Sequence, residues 1–374
     1  MGMPNIDIIF TTAAQSAIQR SQKGTVAVIL KDAAATGALE VMTSSVQVPS
    51  NLTANNQAYL KRTFLGYVNP PRKVLCYVLG GEAEDLTEAL DWLATQQFDY
   101  LAGPPEITPE ECSAVKDWIL AQRRDNHAIF KAVLPETEAD NEAIVNFATN
   151  GIKVAAAGAT TAMVGKSKVG AAQLSEEPYK AADYCSRIAG MLAGTPMTYS
   201  CTYAVLSEVE DVTRLTRDAM DEAVDAGKFI LFWDGLHVKT GRAVNSLTSI
   251  EGKSDAYKKI KIVETMDLMQ TDLRQSIEDS YIGKYANSYD NKMLLLTAIR
   301  NYLMGLERDG VLQEGSTVAI DLEAQEQWLT EHGVDVSSMS EAEILQADTG
   351  SEVFISISVK ILDAIEDVRL TIHM

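Results

Sequence analysis

Lys73-Val-Leu-Cys-Tyr-Val-Leu79 is a short apolar run of strand-forming residues, and what flanks it decides the fold class. A run this continuous suits a strand covered on both faces, since a strand with one wet face would alternate polar and apolar residues. A helix pattern on Leu86, Leu90 and Leu93 follows it. Phe98-Asp-Tyr-Leu101 then precedes a helix starting after Pro109, and His127-Ala-Ile-Phe-Lys-Ala-Val-Leu134 precedes another through Phe147. Upstream, Thr25-Val-Ala-Val-Ile-Leu30 has the same continuous, β-branched character, followed by loops and short elements up to about Arg72. Downstream, Gly151-Ile-Lys-Val154 and Lys228-Phe-Ile-Leu-Phe-Trp233 are expected as later strands of the same sheet. Strands alternating with helices predict an α/β sandwich with a mostly parallel sheet.

The pattern changes near Ser254. Ile262, Met266, Met269, Leu273, Ile277 and Tyr281 recur at steps of three and four, which predicts a long helix with one apolar stripe. A second helix carries Leu295, Ile299, Tyr302 and Leu306, with Gly310 beyond its end as a stop signal. Ser340 with Glu343 forms a capping box for a further short helix. These elements read as a separate α+β domain.

At the C-terminal end, Val353, Ile355, Ile357, Val359 and Ile361 alternate with Phe354, Ser356, Ser358 and Lys360. After Leu362-Asp-Ala-Ile-Glu-Asp367, Val368, Leu370, Ile372 and Met374 alternate with Arg369, Thr371 and His373. Near the N-terminus, Ile6, Ile8 and Phe10 alternate with Asn5, Asp7 and Ile9, and the polar stretch Thr11 to Lys23 tethers them to the first core strand. An isolated strand is unstable in water because its backbone groups are unpaired, so each end must join some sheet edge. Two solutions exist: folding back on its own domain, or adding to a sheet of another copy. Periodicity does not separate them.

Composition narrows the function classes. The 374 residues are 46% hydrophobic and 22% charged, enough for a full core and two or three domains. A formal net charge of −20 argues against nucleic-acid or anionic-membrane partners, whose binding draws on clustered Lys and Arg. No apolar run approaches the roughly 18 residues of a membrane span, and no secretory signal pattern is expected at the start. Cys76, Cys112, Cys185 and Cys201 are scattered, without a C-x-x-C pair, and read as buried thiols.

Several stretches together resemble a known family. Ile262-Val-Glu-Thr-Met-Asp through Arg274, Tyr281-Ile-Gly-Lys284, Asn287-Ser-Tyr-Asp-Asn291 and Leu303 to Gly310 resemble the C-terminal domain of the tail sheath proteins of contractile phages and phage-tail-like bacteriocins. Ala189-Gly-Met-Leu-Ala-Gly-Thr-Pro196 is similar to a segment of the family's α/β domain, and the closing strand resembles its C-terminal arm. The α/β domain looks shorter than in large myophage sheaths. The resemblance implies an α/β sandwich of subtilisin-like fold without a triad, plus an α+β C-terminal sheath domain with strand arms at both ends. It divides the chain into an arm and linker (1–23), a β-rich segment packing with the C-terminal domain (24–72), the α/β sheath domain (73–250), the α+β domain (251–351) and C-terminal strands and arm (352–374). It also implies rings of subunits stacked around an inner tube, arms woven between neighbours, a metastable extended state, and baseplate and terminator proteins as further partners. The tail would be assembled in the bacterial host cytoplasm. Within it, Val353, Ile355, Ile357 and Val359 would receive or adjoin an exchanged strand.

Catalytic patterns are incomplete. His127, His237, His332 and His373 sit near no nucleophile motif, and no G-x-S-x-G occurs, so no triad is expected. Gly165-Lys-Ser167 and Gly252-Lys-Ser254 each match the end of a phosphate loop, but Thr160 and Leu247 replace its first glycine. Neither a cofactor nor a metal is expected. Lys253, Lys258, Lys259 and Lys261 form a basic cluster in an acidic chain and are candidates for an inner-tube contact. A non-contractile tube or capsid protein, or an α/β enzyme acting on nucleotides or carbohydrates, remain as alternatives.

Overall fold

The computed structural model describes residues 23–154 and 177–374, with the backbone of 162–164 and 167–169. The chain divides into two compact units. The larger takes in residues to Asp267 and returns for Asp363–Met374, and the smaller contains Leu268–Leu362.

The larger unit is built on one sheet. Its strands and helices run β1 (Thr25–Lys31), β2 (Gly37–Ala38), α1 (Ala54–Thr63), β3 (Lys73–Leu79), α2 (Thr87–Leu93) and β4 (Tyr100–Ala102). Then come α3 (Pro109–Asp125), β5 (Lys131–Pro135), β6 (Ile144–Phe147), β7 (Lys153–Val154), β8 (Ala162–Val164) and β9 (Ser167–Val169). They are followed by α4 (Cys185–Ala193), β10 (Val209–Asp211), α5 (Arg217–Asp225), β11 (Lys228–Phe229), β12 (Leu231–Trp233) and β13 (Val238–Thr240). The sheet order is β11-β6-β5-β4-β1-β3-β2, parallel throughout except for β2 at one edge.

β1 explains the continuous apolar runs. It lies between β3 and β4, in register Val26 to Val74 and Val26 to Tyr100. Val26, Val28 and Leu30 pack on one face beneath α1 and α4, while Ala27 and Ile29 pack on the other with α2 and α3. Both faces are covered, so neither tolerates a polar residue. All nine residues of α4 are buried, and Gly190 within it and Gly194 at its C-terminal cap are why it fits. A Cβ on Gly190 would stand 1.9 Å from the Thr63 carbonyl oxygen, and one on Gly194 would stand 2.0 Å from that of Asn69. The Ala189-to-Pro196 motif is thus a site of backbone-to-backbone approach.

Residues 24–72 supply β1, a central strand of the larger unit's sheet, as a run covered on both faces should be. Two expectations need correction. The stretch through Phe147 is not a helix but ends in β6, buried between β5 and β11. Lys153–Val154 and Leu231–Trp233 leave the main sheet, pairing antiparallel with β10 and β13, and only Lys228–Phe229 joins its edge. Cys76, Cys112, Cys185 and Cys201 are all buried free thiols.

α6 (Ile260–Ser280) begins in the larger unit and ends in the smaller one. Its first two turns bury Lys261, Glu264, Thr265 and Asp267 as well as Ile262, and Asp272 is buried further along, so the buried residues of α6 are not a single apolar stripe. Asp267 pairs with Arg123 at 2.8 Å and Lys131 at 2.9 Å, and Glu264 accepts from Tyr100 and lies 3.3 Å from Lys131. Burial raises the Asp267 pKa, but the two cations more than offset this and hold it below the usual carboxylate range.

The smaller unit continues with α7 (Tyr289–Arg308), β14 (Thr317–Ile320), α8 (Leu322–Glu331), α9 (Glu341–Gln346) and β15 (Ile355–Ser358). Leu295, Ile299, Tyr302 and Leu306 of α7 are buried, and Gly310, at φ +71°, ends the helix. The capping box at Ser340 and Glu343 opens α9. The Asn287-to-Asn291 motif is a joint: Ser288 caps α7, and the Asn287 amide donates to the carbonyls of Gly350 and Glu352, both at 2.9 Å.

Candidate assembly surfaces

β14 and β15 form a two-stranded antiparallel sheet in which Val318 faces Ile357 and Ile320 faces Ile355. The chain past β15 stays alongside residues 311–313: Gln313 N–H donates to Lys360 at 2.8 Å, and Leu362 N–H donates to Val311 at 3.0 Å. Ile355, Ile357 and Val359 are half-buried while Ser356, Ser358 and Lys360 are exposed, the alternation expected of a strand with one covered face. Val353, expected on the same face, is exposed. Among the described residues no third strand joins this sheet.

The second C-terminal run is different. Val368 is 67% exposed, Leu370 and Ile372 are each 83% exposed, and Met374 is fully exposed. Residues 362–374 form no strand. The N-terminal candidates Ile6, Ile8 and Phe10 lie outside the described residues, as does most of the stretch around Gly165.

The basic cluster is matched by the chain's own carboxylates. Lys253 pairs with Glu142 at 2.8 Å and Lys258 with Asp255 at 3.2 Å, while Lys259 pairs with Asp363 and lies 3.3 Å from Glu366. Burial tends to lower the Lys259 pKa, but the Asp363 hydrogen bond and the nearby carboxylates raise it overall. Lys261 is buried, and desolvation lowers its pKa. Sequence reasoning missed the residues that meet these acids: Arg242, Ser200 and Thr202 lie far from Glu366 along the chain and carry no motif. At Gly252-Lys-Ser254 the lysine is engaged by Glu142, and Ser254 opens a short helical turn. No helix among the described residues is long and apolar enough to cross a membrane.

Comparison with known proteins decides what these surfaces belong to. Residues 252–374 match the phage tail sheath C-terminal domain. The tail sheath protein of Clostridium phage phiCD119 is 35% identical over 381 residues, covering 100% of this chain and 99% of the relative. The chain belongs to the phage tail sheath protein family. Its sheath fold recurs at much lower identity. The helical sheath of the anti-feeding prophage in its contracted state matches with a TM-score of 0.67 at 16% identity, over 100% of this chain and 99% of that one. The sheath tail protein of Desulfitobacterium hafniense matches with a TM-score of 0.64 at 16% identity, over 85% and 94%. The mixed α/β architecture is therefore that of a sheath protein, and the chain is a structural subunit of a contractile tail sheath.

Proposed function

We propose that this sheath subunit polymerises as stacked rings around an inner tube and contracts from a metastable extended state, driving the tube through a target cell envelope. Copies are joined by exchanged strands. The C-terminal arm, with Val368, Leu370, Ile372 and Met374, adds to an open edge of the β14–β15 sheet of a neighbour, near Ile355 and Ile357. The N-terminal run Ile6, Ile8 and Phe10 is the second exchanged strand. The observation that carries this reading is an alternating apolar run left exposed in a chain whose small β14–β15 sheet has only two strands among the described residues. Each large arm side chain gains about 1.5–3 kcal/mol on full burial, and strand addition pairs the backbone as well.

The subunit acts without catalysis, and its partners are further copies, the inner tube, baseplate and terminator proteins. Its place is a virion or bacteriocin tail, assembled in the host cytoplasm. The Lys253-to-Lys261 cluster is the candidate tube contact, although its ion pairs with Glu142, Asp255 and Asp363 leave little unmatched charge there. Reversing the charge of Lys258 and Lys259 without changing tube-templated assembly would remove that assignment.

Negative-stain microscopy of the full chain, beside chains lacking residues 1–20 or 368–374, tests the exchange. Hollow cylinders from the full chain and folded monomers from both truncations are expected. Cylinders from both truncations would overturn it.

A further inference from the structure

Between its two apolar runs the C-terminal tail is held by a polar socket of the larger unit. The Glu366 side chain is only 6% exposed. One carboxylate oxygen accepts from Ser200 Oγ at 3.2 Å and Thr202 Oγ1 at 2.5 Å. The other accepts from Arg242 at 3.0 Å and lies 3.3 Å from the Lys259 ammonium. Arg242 also grips Asp367 through two bonds of 2.8 and 2.9 Å, and Lys259 binds Asp363. Four donors therefore converge on one shielded carboxylate, while Ile365 before it and Val368 after it are exposed.

Desolvating a carboxylate and two cations is costly, so such a socket adds little stability over an apolar plug. It does fix position and direction. We propose that Glu366 is a positioning residue for lattice assembly: the socket fixes the root of the C-terminal arm in the free subunit, so that less entropy is lost when Val368–Met374 pairs with a neighbour. The inference rests on the strand-exchange reading. It also sets a reach, because the eight residues from Asp367 to Met374 span at most about 26 Å when extended, so the accepting edge lies within that distance of Glu366.

Three full-length variants, Glu366→Ala, Glu366→Gln and Thr202→Val, are compared with the parent and with the chain lacking 368–374. The expected result for Glu366→Ala is an unchanged monomer melting temperature, lower backbone NMR order parameters at 363–367, and a roughly tenfold higher critical concentration for sedimentable assembly. Glu366→Gln and Thr202→Val give smaller increases. Parental order parameters at 363–367 in Glu366→Ala, or parental assembly, overturns the inference, and so does a melting transition lost with the side chain, which makes Glu366 a core residue. If deletion of 368–374 blocks assembly while Glu366→Ala assembles normally, the socket inference alone fails. If the deletion assembles normally, the exchange reading fails and takes the inference with it.

Discussion

Two stretches near the C-terminus, Ile355–Ser358 and Val368–Met374, carry the same period-two alternation and end in different states. The first is half-buried and paired with Thr317–Ile320. The second is exposed and forms no strand, although it carries more apolar residues, Val368, Leu370, Ile372 and Met374 against Ile355 and Ile357. A period of two specifies the strand and its apolar face but carries nothing about whose edge the strand joins. That depends on which edges the rest of the chain leaves within reach.

Substitutions can break this comparison, because groups covered by their own chain should lose stability and arm residues should lose only assembly. The largest loss of stability is expected from Gly190→Ala, whose Cβ would collide with the Thr63 backbone at 1.9 Å. Overpacking against backbone costs roughly 3 kcal/mol, measured by urea unfolding of the larger unit. Ile357→Asp, placing a charge on the covered face of β15, should cost about 2 kcal/mol in the smaller unit's transition.

Asp32 gives a pH signature of similar or smaller size. Its burial works against ionisation, but bonds from the Thr53 and Ala34 amides and the Asn56 side chain outweigh this and hold its pKa at about 2. A folded pKa below the unfolded one gives stability that is present above about pH 4 and lost as pH falls toward 2, worth up to about 2 kcal/mol. Asp32→Asn should flatten that loss, as read from melting temperatures between pH 5 and 2. Leu370→Asp should have the smallest effect, leaving the melt unchanged while suppressing cylinders. An equal drop in melting temperature for Leu370→Asp and Ile357→Asp would show that the arm belongs to its own fold.

The legible parts of the fold were those with strong local signals. Continuous apolar runs marked β1 and β3, and the i, i+3, i+4 spacing and Gly310 marked α7 and its end. β6 and β14 are four residues each, too short for a period to declare itself, so in sequence β6 resembles the tail of a helix and β14 gives no signal. Which strands flank β1 is not legible, because its pairing with β3 and β4 is a long-range fact. The lysines stood out as charge, but their carboxylates lie at 142, 255, 363 and 366, and only Asp255 is close in sequence. Charge pairing over a hundred residues leaves no mark in a local pattern.

The ion cluster of Arg123, Lys131, Glu264 and Asp267 at the start of α6 has a thermal consequence. Hydration of ions becomes less favourable on warming, so the desolvation penalty of such a cluster shrinks as temperature rises. The seat of that helix is thereby favoured by heat, and because Lys131, Glu264 and Asp267 are buried, dissolved salt screens it poorly.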